Sequence, residues 1–242
     1  MSVTVDTTVG APPFSLWPPA RVRLLTPRLE LRLPDEDELG MLAGTAAEGV
    51  HEVGQQPFGR PWGAQPAGLR ARSVAQWHWF TRGTFCAARW TFDFAVFSDG
   101  RPVGAQGLSA VGFPVRREVA SGSWLGLRYQ RRGFGKEMRA AVLTFAFDHL
   151  GALSAVTGAY ADNFGAIGVS RALGYKDDGC EVADRDGSRV LAHRFRMSAE
   201  ARRENWPKVD VVGVDDELLH LCGTKDHEGY QALALGDYPH AR

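Results

Sequence analysis

The stretch from Arg117 to Ala161 constrains the fold more than any other part of the chain. "REVASGSWLGL" reads as a strand, "YQRRGFGKEMR" as a glycine turn that opens a helix, "KEMRAAVLTFAFDHLG" as that helix, and "LSAVTGAYA" as a second strand with no polar break. In the helix Met138, Val142, Phe145, Ala146 and Leu150 share one face at helical spacing, and Gly151 stops it. A strand without polar alternation is buried on both faces. Two strands joined through a helix run parallel. The chain is therefore an α/β protein with a mixed sheet, whose parallel portion lies at its centre and is covered by helices.

The flanking segments fill in that sheet. "RLELRL" alternates charged and apolar residues from Arg28 to Leu33, the pattern of a half-buried strand. Asp35 caps a helix over "DEDELGMLAGTAAEG", with acids in its first turn and Gly49 as its stop. Residues 50–70 are rich in Gly and Pro and have no clean period, so they form a long loop, a feature that tends to be functional in a compact domain. A second helix spans about Leu69 to Thr84 and carries Trp77 and Trp79. Trp90–Phe97 and Pro102–Val111 form a hairpin turning at Asp99-Gly100. "NFGAIGVSRALGY" is a short helix closing at Gly174, and "CEVADRDGSRVLAHRFRM" is a last hairpin turning at Asp186-Gly187. Residues 1–20 read as an arm that is ordered only where something holds it, 21–198 as the folded domain, and 199–242 as an extension that wraps the body or reaches a partner subunit.

Composition excludes several classes of function. Lys and Arg number 28, as do Asp and Glu, so the chain lacks the basic excess that nucleic-acid phosphates demand. Cys86, Cys180 and Cys222 are too widely spaced for a disulfide framework or a zinc site, and no metal is expected. No basic start leads into an apolar run, and no window approaches the roughly 20 apolar residues of a membrane helix. The expectation is a cytoplasmic protein with reduced thiols and no membrane or nucleic-acid partner.

The glycine turn has chemistry of its own. The first N–H groups of a helix lack partners, and the helix dipole adds positive potential there. Gly133 and Gly135 carry no side chain to block a ligand, so successive N–H groups of Arg132 to Lys136 can hold an anion, with Arg131, Arg132 and Lys136 adding charge. The spacing is not that of a nucleoside-triphosphate loop, which needs Lys-Ser or Lys-Thr after its last glycine, nor that of a dinucleotide fingerprint.

"QRRGFG" at Gln130–Gly135 resembles the acyl-CoA signature of the GNAT N-acyltransferases: Gln or Arg, two residues, Gly, one residue, then Gly or Ala. "DNFGAIGVSRALGY", with Asn163, Ala166, Leu173, Gly174 and Tyr175, resembles the same family's helix motif, and "TPRLELRLPDEDEL" resembles the opening of its ribosomal-protein N-acetyltransferase branch. The resemblance covers about residues 22–197. It implies a mostly antiparallel central sheet with one splayed parallel pair, flanked by helices. It also implies an acyl-CoA donor, acetyl-CoA by default, with its pyrophosphate on the N–H groups of Arg131, Arg132, Gly133, Phe134, Gly135 and Lys136 beside Gln130. Pantetheine would run along Trp124, Leu125 and Gly126, with Asn163 on the far side of the gap. An amine acceptor would attack the thioester directly, and a homodimer is common among such proteins.

The proton carriers are less well marked. The family's Tyr position holds Ser170, the candidate acid, and the branch's Ser position holds Ala166. Glu118, just before the strand that would carry the acyl group, is the candidate base. Alternation aims Asp93 to the face opposite Phe92 and Phe94, while His78 reads as a packing residue between two tryptophans. His51, Glu52, Phe58 and Trp62 lie in the long loop, and with Asp93 they are the candidate acceptor contacts. Arg116, Arg117 and Arg128 would suit a succinyl donor. The acceptor expected is a small amine. A protein α-amine or lysine is the alternative acceptor, and a CoA-binding regulator without catalysis is the alternative class.

Overall fold

The structure is a computed structural model and describes residues 13–203 and 205–224. Among the described residues nine strands form one sheet: β1 (Arg23–Leu25), β2 (Glu30–Arg32), β3 (Arg89–Ser98), β4 (Arg101–Val111), β5 (Glu118–Leu125), β6 (Ser154–Tyr160), β7 (Lys176–Arg185), β8 (Ser188–Ser198) and β9 (Asp210–Val212). Their order across the sheet is β7-β8-β6-β5-β4-β3-β2-β1-β9. The helices are α1 (Glu36–Ala47), α2 (Ala67–Gly83), a short α3 (Phe113–Arg116), α4 (Phe134–Thr144), α5 (Phe164–Leu173) and α6 (Asp216–Leu221).

Neighbouring strands are antiparallel except β5 and β6, which the α4 crossover sets parallel. The second crossover, through α5, does not add a parallel neighbour. β8 turns back from β7 and inserts beside β6, so β7 lies one strand away. Both hairpin turns place Asp-Gly at positive φ, at Asp99-Gly100 and Asp186-Gly187, as two-residue turns of this hand require.

The two faces of the sheet have separate cores. Phe92, Phe94 and Val96 of β3 face α4 and α5, where they meet Met138, Val142, Phe145 and Leu173. Ala95, Phe97 and Ala105 lie on the opposite face against Leu39, Leu42 and Ala46 of α1 and Val74 of α2. Each large apolar side chain fully buried this way contributes about 1.5–3 kcal/mol. α1 starts on a complete capping box. The Asp35 carboxylate accepts from the Glu38 N–H at 2.8 Å, and the Glu38 carboxylate accepts from the Asp35 N–H at 3.2 Å.

Both ends of the described chain dock on this body. Residues 13–21 make two short 3-10 turns, with Trp17 edge-on to Phe85 at 5.5 Å and Arg82 over the Phe14 ring. The chain after position 199 packs on the domain. Trp206 is buried and donates to the Leu173 carbonyl, β9 pairs with β1, and Leu218 and Cys222 enter the core, where Trp90 Nε1 donates to the Cys222 carbonyl at 3.0 Å. The described extension thus wraps the body. Residues 1–12 and 225–242 of the expected arm and extension lie outside the described residues. Among the described residues no helix is long and apolar enough to cross a membrane.

Candidate active site

The site is organised by the place where β5 and β6 part. Their pairing covers Glu118↔Ser154, Val119↔Ala155 and Ala120↔Val156, and then stops, although β5 runs on to Leu125 and β6 to Tyr160. Beyond Ala120 the edge of β5 has no strand partner. Thr157 Oγ1 bridges the start of the split by donating to the Ser121 carbonyl at 2.9 Å. The open end of the split lies between the glycine turn, which follows β5, and Asn163, which follows β6.

Two contacts set the shape of the turn. Arg131 and Gly133 both adopt positive φ, 64° and 83°, and Gly133 caps α4 without a side-chain hydrogen bond. Among the described residues the N–H groups of Arg131, Arg132 and Gly133 donate to no backbone carbonyl, and those of Phe134 and Gly135 open the helix, where none is available. Behind the turn, the buried Glu137 carboxylate accepts from Thr26 Oγ1 at 2.7 Å, from the Arg28 N–H at 3.1 Å and from Arg28 Nε at 2.7 Å. Arg28 in turn donates to the Arg132 carbonyl at 3.0 Å, which fixes the peptide that presents the N–H groups. Arg131, Arg132 and Lys136 are exposed around them. A cluster of free N–H groups at a helix start, ringed by cations, fits a diphosphate. The side chain of Gln130 is committed elsewhere, donating to the Val50 and Leu125 carbonyls and tying the long loop to the end of β5.

On the α1/α2 face, residues 50–66 build an aromatic wall over β5. Phe58 lies 4.8 Å from Trp62, Trp62 meets Trp124 edge-on at 5.8 Å, and His51 lies 6.0 Å from Phe58. Arg70 of α2 holds the wall by donating to the carbonyls of Ala46, Ala47, Gly63 and Gln65. Arg185 of β7 holds it from the other side. Its guanidinium forks onto Asp162 at 2.8 and 2.9 Å, donates to the Gln56 carbonyl and lies over the Tyr160 ring. Trp124 therefore turns its ring to this wall, Leu125 packs on the main core, and Gly126 is buried with its N–H on the Val103 carbonyl. Glu52 is exposed, and its carbonyl accepts from His51 Nδ1 at 2.9 Å.

Asp93 lies on this same face, as alternation required. It is buried, 6 % exposed, and its register partners are Gly107 on β4 and then Gly122 on β5, so the in-line positions toward the split carry no side chain. His78 of α2 is also buried and brings Nε2 to 3.1 Å from Asp93 Oδ2, off-line for a hydrogen bond. Burial pushes the Asp93 carboxyl up against the opposing pull of His78 and Arg82. It pushes the His78 imidazole down against the pull of Asp93. The reading of His78 as packing alone is corrected. It is the partner of a buried acid, and its place on the buried stripe with Val74 and Thr81 was the available signal.

Glu118 and Ser170 are each held by several partners. Glu118 sits at the closed end of the β5–β6 pair and is bound by Arg116, Arg196 and the Ser154 hydroxyl. Burial raises its carboxyl, but these three partners outweigh it and hold the group below the usual glutamate range. Ser170 spends its proton on the Ala166 carbonyl at 2.9 Å and accepts from Arg139 Nη1 at 3.1 Å. Asn163 caps α5 by accepting from the Ala166 N–H at 3.1 Å. Arg116 is tied to Glu118, Arg117 to the Thr224 carbonyl and Arg128 to Glu48.

The turn, the split and the flanking helices together define an acyl-CoA-dependent N-acetyltransferase. The Acetyltransferase (GNAT) domain family matches residues 28–176, more than half of the chain. The chain belongs to that family. Solved structures with the same fold include RimL, the ribosomal L7/L12 α-N-protein acetyltransferase, in complex with coenzyme A (TM-score 0.60, 18% identity, 73% of this chain and 97% of that one). RimJ from Mycobacterium smegmatis, with a CoA disulfide, is similar at TM-score 0.57 and 16% identity over 75% of this chain and 88% of that one. A GCN5-related N-acetyltransferase from Brucella melitensis aligns at TM-score 0.60 and 17% identity over 76% and 82% of the two chains.

Proposed function

We propose that the chain transfers an acetyl group from acetyl-CoA to the primary amine of a small molecule, by direct attack and without a covalent enzyme intermediate. The observation that carries the choice of acceptor is the wall of Phe58, Trp62 and Trp124, pinned by Arg70 and Arg185 over the β5 side of the split. A wall fixed at both ends suits a compact acceptor with apolar surface better than an extended peptide. Acetyl is favoured over succinyl because Arg116, Arg117 and Arg128 are all engaged elsewhere.

In this reading the N–H groups from Arg131 to Gly135 bind the pyrophosphate, with the Lys136 N–H closing the turn on the Gly133 carbonyl, the edge of β5 beyond Ala120 pairs with pantetheine, and Asn163 borders the far lip. An N–H on that free edge polarises the thioester carbonyl. The amine must be neutral to attack. The Asp93–His78 pair, facing the split across two glycines, takes its proton directly or through water. Burial raises the carboxyl, which makes it a stronger base, and lowers the imidazole, which favours its proton-accepting neutral form.

The test is thiol release from acetyl-CoA and succinyl-CoA against a panel of small primary amines and N-terminal peptides. Turnover with small amines is expected, and Trp62→Ala should raise the KM of the amine while leaving CoA affinity unchanged. Turnover confined to peptides would overturn the assignment of the acceptor.

A further inference from the structure

On the α4/α5 face, behind the split, a buried cation has no anion. Arg139 of α4 is 4 % exposed. Its Nη1 donates to Ser170 Oγ on α5 at 3.1 Å, its Nη2 reaches Ser123 Oγ on β5 at 3.4 Å, and its Nε makes no hydrogen bond. Among the described residues no carboxylate pairs with it, and Tyr175 is the one titratable group whose charge it feels. The polar side chains around it are also short of partners. Gln106 Oε1 is buried without a hydrogen bond, and the buried Ser121 Oγ and Tyr175 hydroxyl have only a poorly formed one with each other. Gln106 pairs in register with Ser123, so the four groups surround the segment of β5 that has left β6.

Native interiors hold few unpartnered polar groups, and a cluster of them around one lone guanidinium marks a place where a ligand supplies the missing partners. The charge identifies the part of the ligand. Resting on the acyl-CoA reading of the split, we propose that Arg139 is a catalytic residue whose guanidinium receives the CoA thiolate as it leaves. The amine nitrogen adds to the thioester carbonyl carbon and forms the C–N bond. The C–S bond breaks with its electron pair on sulfur, and the nitrogen's proton passes to the acceptor-side base. Sulfur then carries the new negative charge next to Arg139, until water protonates it to the free thiol. A donor fixed in advance where charge develops favours the transition state over the ground state. Ser170, with its own proton spent on Ala166, positions Arg139.

The test compares wild type with Arg139→Met by following thiolate absorbance of bound CoA against pH, with Kd for CoA and desulfo-CoA measured alongside. The bound thiol should titrate at least about one pH unit below free CoA in wild type and lose that shift in the variant, a tenfold change in thiolate stability. Desulfo-CoA should bind both proteins alike, and kcat should fall about 100-fold, as for loss of one preorganised donor. Should the methionine variant fail to fold, Arg139→Gln carries the same test, and a bound thiol that titrates as in wild type overturns the proposal. So does a variant that loses turnover of succinyl-CoA alone, since the guanidinium would then read an acyl carboxylate. Failure of wild type to bind any CoA is a different result and defeats the acyl-CoA reading itself.

Discussion

Glu137→Ala tests how the glycine turn is held. The carboxylate is 7% exposed and binds the Thr26 hydroxyl, the Arg28 N–H and the Arg28 guanidinium at once. Removing one partner of a buried ion pair costs about 3–5 kcal/mol when the other charge stays buried. The Arg28 side chain is 50% exposed, so water recovers much of its charge. The low end applies, about 3 kcal/mol, made up mostly of the hydroxyl and N–H left without an acceptor. At about 2–4 °C per kcal/mol for a chain of this size, Tm should fall by about 6–12 °C. Arg28 also loses the anchor from which it reaches the Arg132 carbonyl, so the turn is less preorganised and Kd for CoA should rise about tenfold, ~1.4 kcal/mol. Urea unfolding and calorimetric titration with CoA read the two effects separately. A loss below about 1 kcal/mol, the worth of a surface pair, with unchanged CoA affinity would refute the reasoning.

Glu118→Gln should leave kcat within about twofold of wild type, because three partners already hold its carboxylate; a loss on the scale of general-base catalysis, about 100-fold, would make it the base. The same variant should be less stable than wild type at pH 6, with the gap closing as pH falls through the depressed folded value, since protonation then removes the same carboxylate in wild type. Asp93→Asn should lower kcat about 100-fold and remove a rate limb that rises with pH through an upward-shifted carboxyl; an unchanged pH–rate profile would exclude the Asp93–His78 pair. Arg185→Ala should release residues 50–66 from β6 and β7, raising the KM of the amine with Kd for CoA unchanged. Equal weakening of both would mean the wall also serves the donor.

The sequence was informative where local signals and burial agreed. The helix after the glycine turn, the two Asp-Gly hairpins and the capped α1 could all be read from spacing and turn chemistry, because short-range sterics and hydrogen bonding decide them. Asp93 was placed on the right face by alternation, since a strand has period two. The partners of the candidate catalytic groups could not be read from chain position. Glu118 and Ser170 sit at suggestive places, but their partners Arg196 and Arg139 are distant in sequence, and those partners decide what each group can do. Wrapping of the body stood beside contact with a partner subunit as an open alternative, because strands of three residues carry too little pattern to show where they pair. Arg139 did leave a trace: it is the one charge between Met138 and Phe147 in an otherwise apolar run.

In the proposed function the N–H groups at the start of α4 hold acyl-CoA for transfer to an amine. Gly135 isolates this role, because a Cβ there meets nothing closer than Val169 Cγ2 at 3.5 Å, so Gly135→Glu adds a carboxylate to the anion site without displacing the backbone. The direct measurement is thiol release from acetyl-CoA with and without a primary amine, in wild type and Gly135→Glu. Amine-dependent release by wild type, and none by a folded variant that no longer binds CoA, is the predicted result. A variant that binds CoA and turns over like wild type would contradict the account.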